Sequence, residues 1–203
     1  MTEWDHEPEG ATPLEPDEKE GLTHPHVTTR AQLNELEQAN IEQALVWLPS
    51  RRRFDILSEA SLRRLHERLF GDVWRWAGTF RQTEKNIGID PLQIGVALRA
   101  LLEDARYWAE NGTHEPLEAA ARFHHRLVQI HLFPNGNGRH ARIAADLYLE
   151  EYFDGHPPID WEAGHDLLGD GSRRAAYITA LKAADGHDHA PLLAFVNATG
   201  ATR

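Results

Sequence analysis

The chain has 203 residues and a formal net charge of −11, from 32 acidic against 21 basic residues. With 41% hydrophobic and 26% charged residues it has the balance of a globular chain long enough for one sizeable core. The absence of cysteine excludes a disulfide framework, a thiolate zinc finger and a cysteine nucleophile. The acidic balance argues against direct nucleic-acid binding, whose footprint is basic. No apolar run approaches the ~20 residues of a membrane span, and MTEWDHEPEG lacks an apolar leader. The expectation is a cytoplasmic chain with no membrane partner.

The charge is concentrated at the start. Residues 1–20 hold eight acids and one lysine, for −7, and the remaining residues carry only −4. With Pro8, Pro13, Pro16 and Pro25 among those acids, residues 1–28 are expected to form an acidic arm, flexible or laid along the surface. Helical periodicity begins at Thr29, which opens a capping box with Gln32, and continues through Leu33, Leu36, Asn40, Ala44 and Trp47 to Pro49. A second helix starts after Ser58, presents Leu62, Leu65 and Leu69, and ends near Gly71. Residues 78–91 (GTFRQTEKNIGIDP) break the period and suit a short β-hairpin. Further helices are expected over 92–108, 116–130, 137–153, 173–184 and 191–198. The fold class is therefore all-α, a helical bundle with one small hairpin, with the domain proper at 29–198 and a tail at 199–203.

The chemistry concentrates in His131–Arg142, H-L-F-P-N-G-N-G-R-H-A-R. A helix delivers His131 to its end, Pro134 and the Gly136-Asn137-Gly138 turn reverse the chain, and a new helix begins at once. Glycines permit unusual dihedrals and close approach of a ligand to the amides. The unpaired N–H groups of a helix N-terminus favour an anion. Arg139 and Arg142, three apart, share one face of that helix. A phosphate cradle with two guanidinium clamps and a neighbouring imidazole results, and histidine accepts a proton readily near neutral pH. These residue types alone point to phosphoryl or nucleotidyl transfer. A chance match to H-x-F-x-x-G-N-G-R-x-x-R is on the order of one in a billion per start position.

At these residues the chain resembles the Fic family, whose signature is H-x-F-x-(D/E)-G-N-G-R-x-x-R. Trp76-Ala77-Gly78-Thr79-Phe80-Arg81 is similar to the segment before that family's flap, and Arg173 to Phe195 to its closing helices. Glu35-Leu36-Glu37-Gln38-Ala39-Asn40-Ile41 with PNGNGRHAR is most similar to the branch called mobile mystery protein B. The resemblance implies transfer of AMP from ATP, with Mg²⁺, to a Ser, Thr or Tyr hydroxyl of a target protein. His131 would be the general base and Phe133 the core anchor of the loop. Gly136, Asn137 and Gly138 would form the anion hole, Arg139 would hold the β-phosphate region and Arg142 the γ-phosphate. The flap Thr83-Glu84-Lys85-Asn86-Ile87-Gly88-Ile89 would align the target by strand addition.

One motif position departs. Asn135 stands where the family has Asp or Glu to hold Mg²⁺, which prefers charged oxygens. The expectation is weaker metal binding, with the phosphates supplying most of the coordination. The same substitution leaves room for a nucleotide-binding regulator with little catalysis, or for another donor such as UMP or phosphocholine. Gly138 and Arg142 argue for AMP transfer over the kinase-type variant, whose loop has lysine at the first position and lacks the last arginine. The family's inhibitory motif (S/T)-x-x-x-E-(G/N) has no match, since Asp5 precedes Glu9-Gly10, Pro16 precedes Glu20-Gly21 and Arg106 precedes Glu110-Asn111 at the required spacing. The resemblance instead suggests a separate helix-turn-helix partner of toxin–antitoxin type, with Glu37 as a less usual internal inhibitor. Elsewhere the reading is plain. The pairs His24/His26, His124/His125 and His187/His189 lack a zinc pattern, His140 is expected at the surface, and Arg51-Arg52-Arg53 as a solvated cluster.

Overall fold

The computed structural model describes residues 12–50, 54–162, 167 and 171–197. Eight α-helices occur among them: α1 (Pro16–Lys19), α2 (Arg30–Trp47), α3 (Glu59–Phe70), α4 (Ile94–Asn111), α5 (Pro116–Ile130), α6 (Asn137–Tyr152), α7 (Ser172–Asp185) and α8 (Ala190–Asn197). The fold is mainly helical, as the periodicity predicts. Arg51-Arg52-Arg53 and the tail from residue 198 lie outside the described residues.

Local signals set the helix ends. Thr29 accepts from the Gln32 amide at α2, and the Gln32 side chain returns to the Thr29 backbone, closing the capping box. Ser58 caps α3 in the same sense. Gly112 ends α4 at φ 58°, a left-handed position that suits glycine.

The core centres on α5, which packs against α4, α6, α7 and α8. Ala119, Ala120 and Ala121 on α5 meet a bundle in which α6 contributes Ala141, Ala144 and Ala145, all buried. Small residues let the two backbones approach closely, so the loop joining them, residues 131–136, is held rigidly at one end of the bundle. Outside it, α2 packs on α3, and α3 on α6.

The hairpin expected over 78–91 is not formed: these residues carry bends and turns and no paired strand. The reason lies in Arg81, whose side chain is almost fully buried. Its guanidinium donates to the carbonyls of Thr83 (2.8 Å) and Ile89, from opposite limbs of the segment. A charged fork thus replaces the ladder that would pair those limbs.

Residues 12–28 of the acidic arm are laid against the body, with Leu14 and Val27 buried. Leu22 forms a single antiparallel bridge to Trp74. The Trp76 indole N–H donates to the Glu18 carbonyl at 2.9 Å.

Candidate functional site

α5 ends at His131, whose backbone takes the left-handed conformation, φ 59° and ψ 69°. A side chain tolerates this poorly, so the surroundings must hold it. Arg81 does so: its Nε donates to the His131 carbonyl at 2.6 Å and its Nη2 to the Ile130 carbonyl at 3.3 Å. These are carbonyls that the helix end leaves without partners, and a cation there also suits the helix dipole. Arg81 therefore caps α5 and closes the strap of residues 82–90 in one stroke. Arg81 and His131 are 50 residues apart, and no spacing in the sequence ties them together.

The loop after His131 is fastened by side chains. Asn137 accepts from the Phe133 amide at 2.9 Å and donates to the Phe133 carbonyl at 2.7 Å. Phe133 is buried and stacks on His66 with ring centroids 3.7 Å apart. His66 accepts from the Gly78 amide on Nδ1 (3.0 Å), so its Nε2–H donates to the Asn135 carbonyl (3.0 Å). Burial, then the neighbouring His140, hold His66 well below the usual histidine range, as the neutral tautomer requires. His140, expected at the surface, is buried instead and donates to the Leu62 carbonyl at 3.0 Å. It lies four residues before Ala144 and eight before Tyr148, on the packed face of α6.

The motif residues His131, Asn135, Gly136, Asn137, Gly138, Arg139 and Arg142 all line one cavity of about 740 Å³. Gly136 precedes α6 at φ 77°, and an added Cβ would meet the Phe70 ring at 2.7 Å, so glycine is required there. The first intrahelical bond runs from His140 N to Gly136 O. The amides of residues 137–139 thus have no partner within the helix. Among the described lining residues, Arg30, Arg126, Arg139, Arg142, Arg174 and Lys182 face the same space, with Asp185 the one carboxylate. The described lining thus holds more cations than acids although the chain is acidic.

The two motif arginines are held differently. Arg139 pairs with buried Glu37 at 2.7 Å, and Glu37 also accepts from the Trp74 indole at 2.7 Å. Arg139 rests on the Phe70 ring, and its buried Nη1 has no partner. Arg142 lies over Tyr177, whose hydroxyl is 3.0 Å from His124 Nε2. Tyr177 and His124 carry no spacing signal that ties them to the motif, and Glu37, named above as a less usual internal inhibitor, pairs with Arg139.

Of the expected flap, Ile87, Gly88 and Ile89 line the cavity, while Thr83 and Lys85 turn to the N-terminal segment and Glu84 and Asn86 are exposed. Gly88 has φ 108°, and a Cβ there would come 2.7 Å from His131 Cβ.

His131 is 3% exposed, and its pKa falls to about 3. Burial is the main cause, with Arg81 and Lys85 adding repulsion and the Val128 backbone opposing them. The ring is neutral at physiological pH, able to accept a proton at Nε2. Thr12 Oγ1 lies 3.0 Å from that nitrogen.

The residues present do not fit a magnesium ion held by the protein. Asn135 Oδ1 accepts from the Gly136 amide at 2.6 Å, and its Nδ2 donates to the Thr12 carbonyl at 3.1 Å. Both ends of the neutral amide are engaged. Among the described residues no three His, Asp or Glu side chains are grouped as metal ligands.

An N-terminal helix turn, two arginines and a neutral histidine surround one cavity, an arrangement whose chemistry suits an anion with a proton acceptor beside it. Residues 56–149 match the Fic/DOC family. The protein adenylyltransferase Fic of Drosophila grimshawi is 30% identical over 138 residues, covering 65% of this chain and 26% of that protein. The protein adenylyltransferase fic-1 of Caenorhabditis elegans is 27% identical over 150 residues, covering 70% of this chain and 27% of the relative. The chain thus spans about a quarter of the length of these curated relatives. Among solved structures, Fic-1 (residues 134–508) of C. elegans superposes with a TM-score of 0.66 at 24% identity, over 89% of this chain and 52% of that one. BepC of Bartonella tribocorum with bound AMPPNP gives a TM-score of 0.68 at 17% identity, over 91% and 98% of the two chains. No helix among the described residues is long and apolar enough to cross a membrane.

Proposed function

We propose that the chain is a protein adenylyltransferase that moves AMP from ATP to a Ser, Thr or Tyr hydroxyl of a protein. One observation carries this reading: neutral His131 presents Nε2 to a hydroxyl at 3.0 Å, on the cavity that the first turn of α6 opens into. In the reaction His131 takes the hydroxyl proton as the oxygen attacks the α-phosphorus, and pyrophosphate leaves. The amides of residues 137–139 and the arginines Arg139 and Arg142 hold the phosphates. Catalysis is then mainly positioning and electrostatic stabilisation. Any magnesium would be held by the phosphates of the nucleotide and not by side chains of the described residues. Similarity to named adenylyltransferases and to a fold seen with AMPPNP supports the reading.

The test is transfer of label from α-labelled ATP to protein, with γ-labelled ATP as control. Label from the α-position only, lost in His131→Ala, is expected. Label from the γ-position would overturn the reading in favour of a kinase.

A second reading has its own observation. Asn135 Oδ1 is tied to Gly136 and Arg139 to Glu37, so two groups that would serve the phosphates are already engaged. A nucleotide-binding regulator with little catalysis fits that state. It predicts ATP binding with no transfer from either label.

A further inference from the structure

The N-terminal segment reaches the site through a chain of specific contacts. The Lys85 ammonium donates to the Pro13 carbonyl at 3.2 Å and pairs with the buried Glu18 carboxylate. The Thr83 hydroxyl donates to the other Glu18 oxygen at 3.1 Å. The Glu18 carboxylate also accepts from the Glu15 amide at 2.8 Å, which fixes the turn into α1. Asn135 Nδ2 holds the Thr12 carbonyl. Residues of the strap and of the phosphate loop thus grip the segment from both sides, and Thr12 and Leu14 are each 6% exposed.

The grip sets the orientation of one side chain. Thr12 Oγ1 is the hydroxyl 3.0 Å from His131 Nε2, and Thr12 lines the same cavity as Gly136–Gly138. A segment that merely blocked the site would need only bulk there. This one presents a nucleophile to the base and leaves the cationic cavity beyond it open. The amide at position 135 suits the arrangement, because it donates to the Thr12 carbonyl where a carboxylate would repel it.

We infer that Thr12 is an acceptor within the chain itself: the site adenylylates its own N-terminal segment at the Thr12 hydroxyl. The inference rests on the adenylyltransferase reading above. The bond formed joins Thr12 Oγ1 to the α-phosphorus of ATP. The bond broken joins that phosphorus to the oxygen bridging to the β-phosphate. Pyrophosphate carries off the electron pair, and the hydroxyl proton passes to His131 Nε2. The product is a phosphodiester between Thr12 and adenosine. Because acceptor and base are already held together, no second chain has to be found.

The experiment is incubation of the full chain with Mg·ATP, followed by intact mass and peptide fragmentation, alongside a lysate labelled from α-labelled ATP. The expected result is one AMP per chain, on Thr12, lost in Thr12→Val and His131→Ala and retained at the same position in Thr12→Ser. In a mixture of His131→Ala with Thr12→Val, the His131→Ala chain should stay unmodified. Its modification would overturn transfer within one chain. AMP on another residue, or on lysate proteins with Thr12 bare, overturns the inference and leaves the adenylyltransferase reading standing. No AMP on any protein overturns both.

Discussion

Glu37 on α2 holds Arg139 on α6 at 2.7 Å, a buried ion pair between residues 102 positions apart. The pair fixes the arginine before any phosphate arrives, with one of its nitrogens, Nη1, still without a partner. Glu37→Gln keeps an acceptor for the Trp74 indole and removes the charge that competes with phosphate. ATP binding should tighten several-fold, read by calorimetry. Leaving the Arg139 charge buried and unpaired should cost about 3 kcal/mol of stability in urea unfolding without ligand. Unchanged ATP affinity would mean that Arg139 does not reach the phosphates.

Gly88→Ala tests the seat of His131. The new Cβ would press on His131 Cβ at 2.7 Å and on Arg81 Nη2 at 2.8 Å, in a backbone conformation that side chains rarely adopt. The imidazole must shift, and AMP transfer should fall roughly 10²-fold. ATP affinity should stay within about twofold, since the phosphate-facing amides lie on α6. Gly112→Ala is the control. It has open space at φ 58°, so it should cost about 1 kcal/mol of stability and leave transfer unchanged.

Asn135→Asp places a charged oxygen beside the phosphates and removes the donor to the Thr12 carbonyl. Half-maximal ATP binding should require several-fold less Mg²⁺, measured by titrating the metal at fixed ATP. Modification at Thr12 should slow at the same time. An unchanged Mg²⁺ requirement would show that position 135 does not influence the metal.

Acid should destabilise the fold. Burial holds His66, His124, His131 and His140 below the usual 6.5, with His140 at about 4 and His131 at about 3. As pH falls through 6.5 the unfolded chain binds protons that the folded chain does not. Stability is therefore lost as pH drops from about 6.5 towards 4, by up to about 1.4 kcal/mol per pH unit for each histidine. Asp146 opposes the trend. Burial raises it to about 7, so its contribution is present below the usual carboxylate value and lost as pH rises through about 7. Four groups outweigh one, and the urea midpoint should fall between pH 7 and pH 5. His140→Gln, whose longer amide places a donor where Nε2 meets the Leu62 carbonyl, should flatten that slope.

What the sequence discloses is what neighbouring residues decide. Thr29 with Gln32, Ser58 and Gly112 mark helix ends through bonds spanning a few residues, and the structure has them there. The loop from His131 to Arg142 is contiguous, so its residues can be assigned to one cavity without knowing the fold. The rest of the site arrives from afar. Thr12 meets His131 across 119 residues, His66 meets Asn135 across 69, and Arg81 meets His131 across 50. Nothing in local spacing ties such pairs together. The hairpin expected over 78–91 fails for the same reason, because the guanidinium that displaces its ladder is anchored on α5. His140 was accessible to pattern reading, through its spacing of four and eight to Ala144 and Tyr148, and its polarity obscured that.

His66 has one further consequence. A single uncharged ring accepts from Gly78 and donates to Asn135, so it has no spare valence on either nitrogen. The root of the strap and the backbone of the phosphate loop are therefore two ends of one rigid rod about the width of an imidazole. A protein that docks along the strap and pulls on Gly78 pulls on Asn135 as well. Because α3 carries the ring, the loop follows such a pull only as far as that helix lets His66 move.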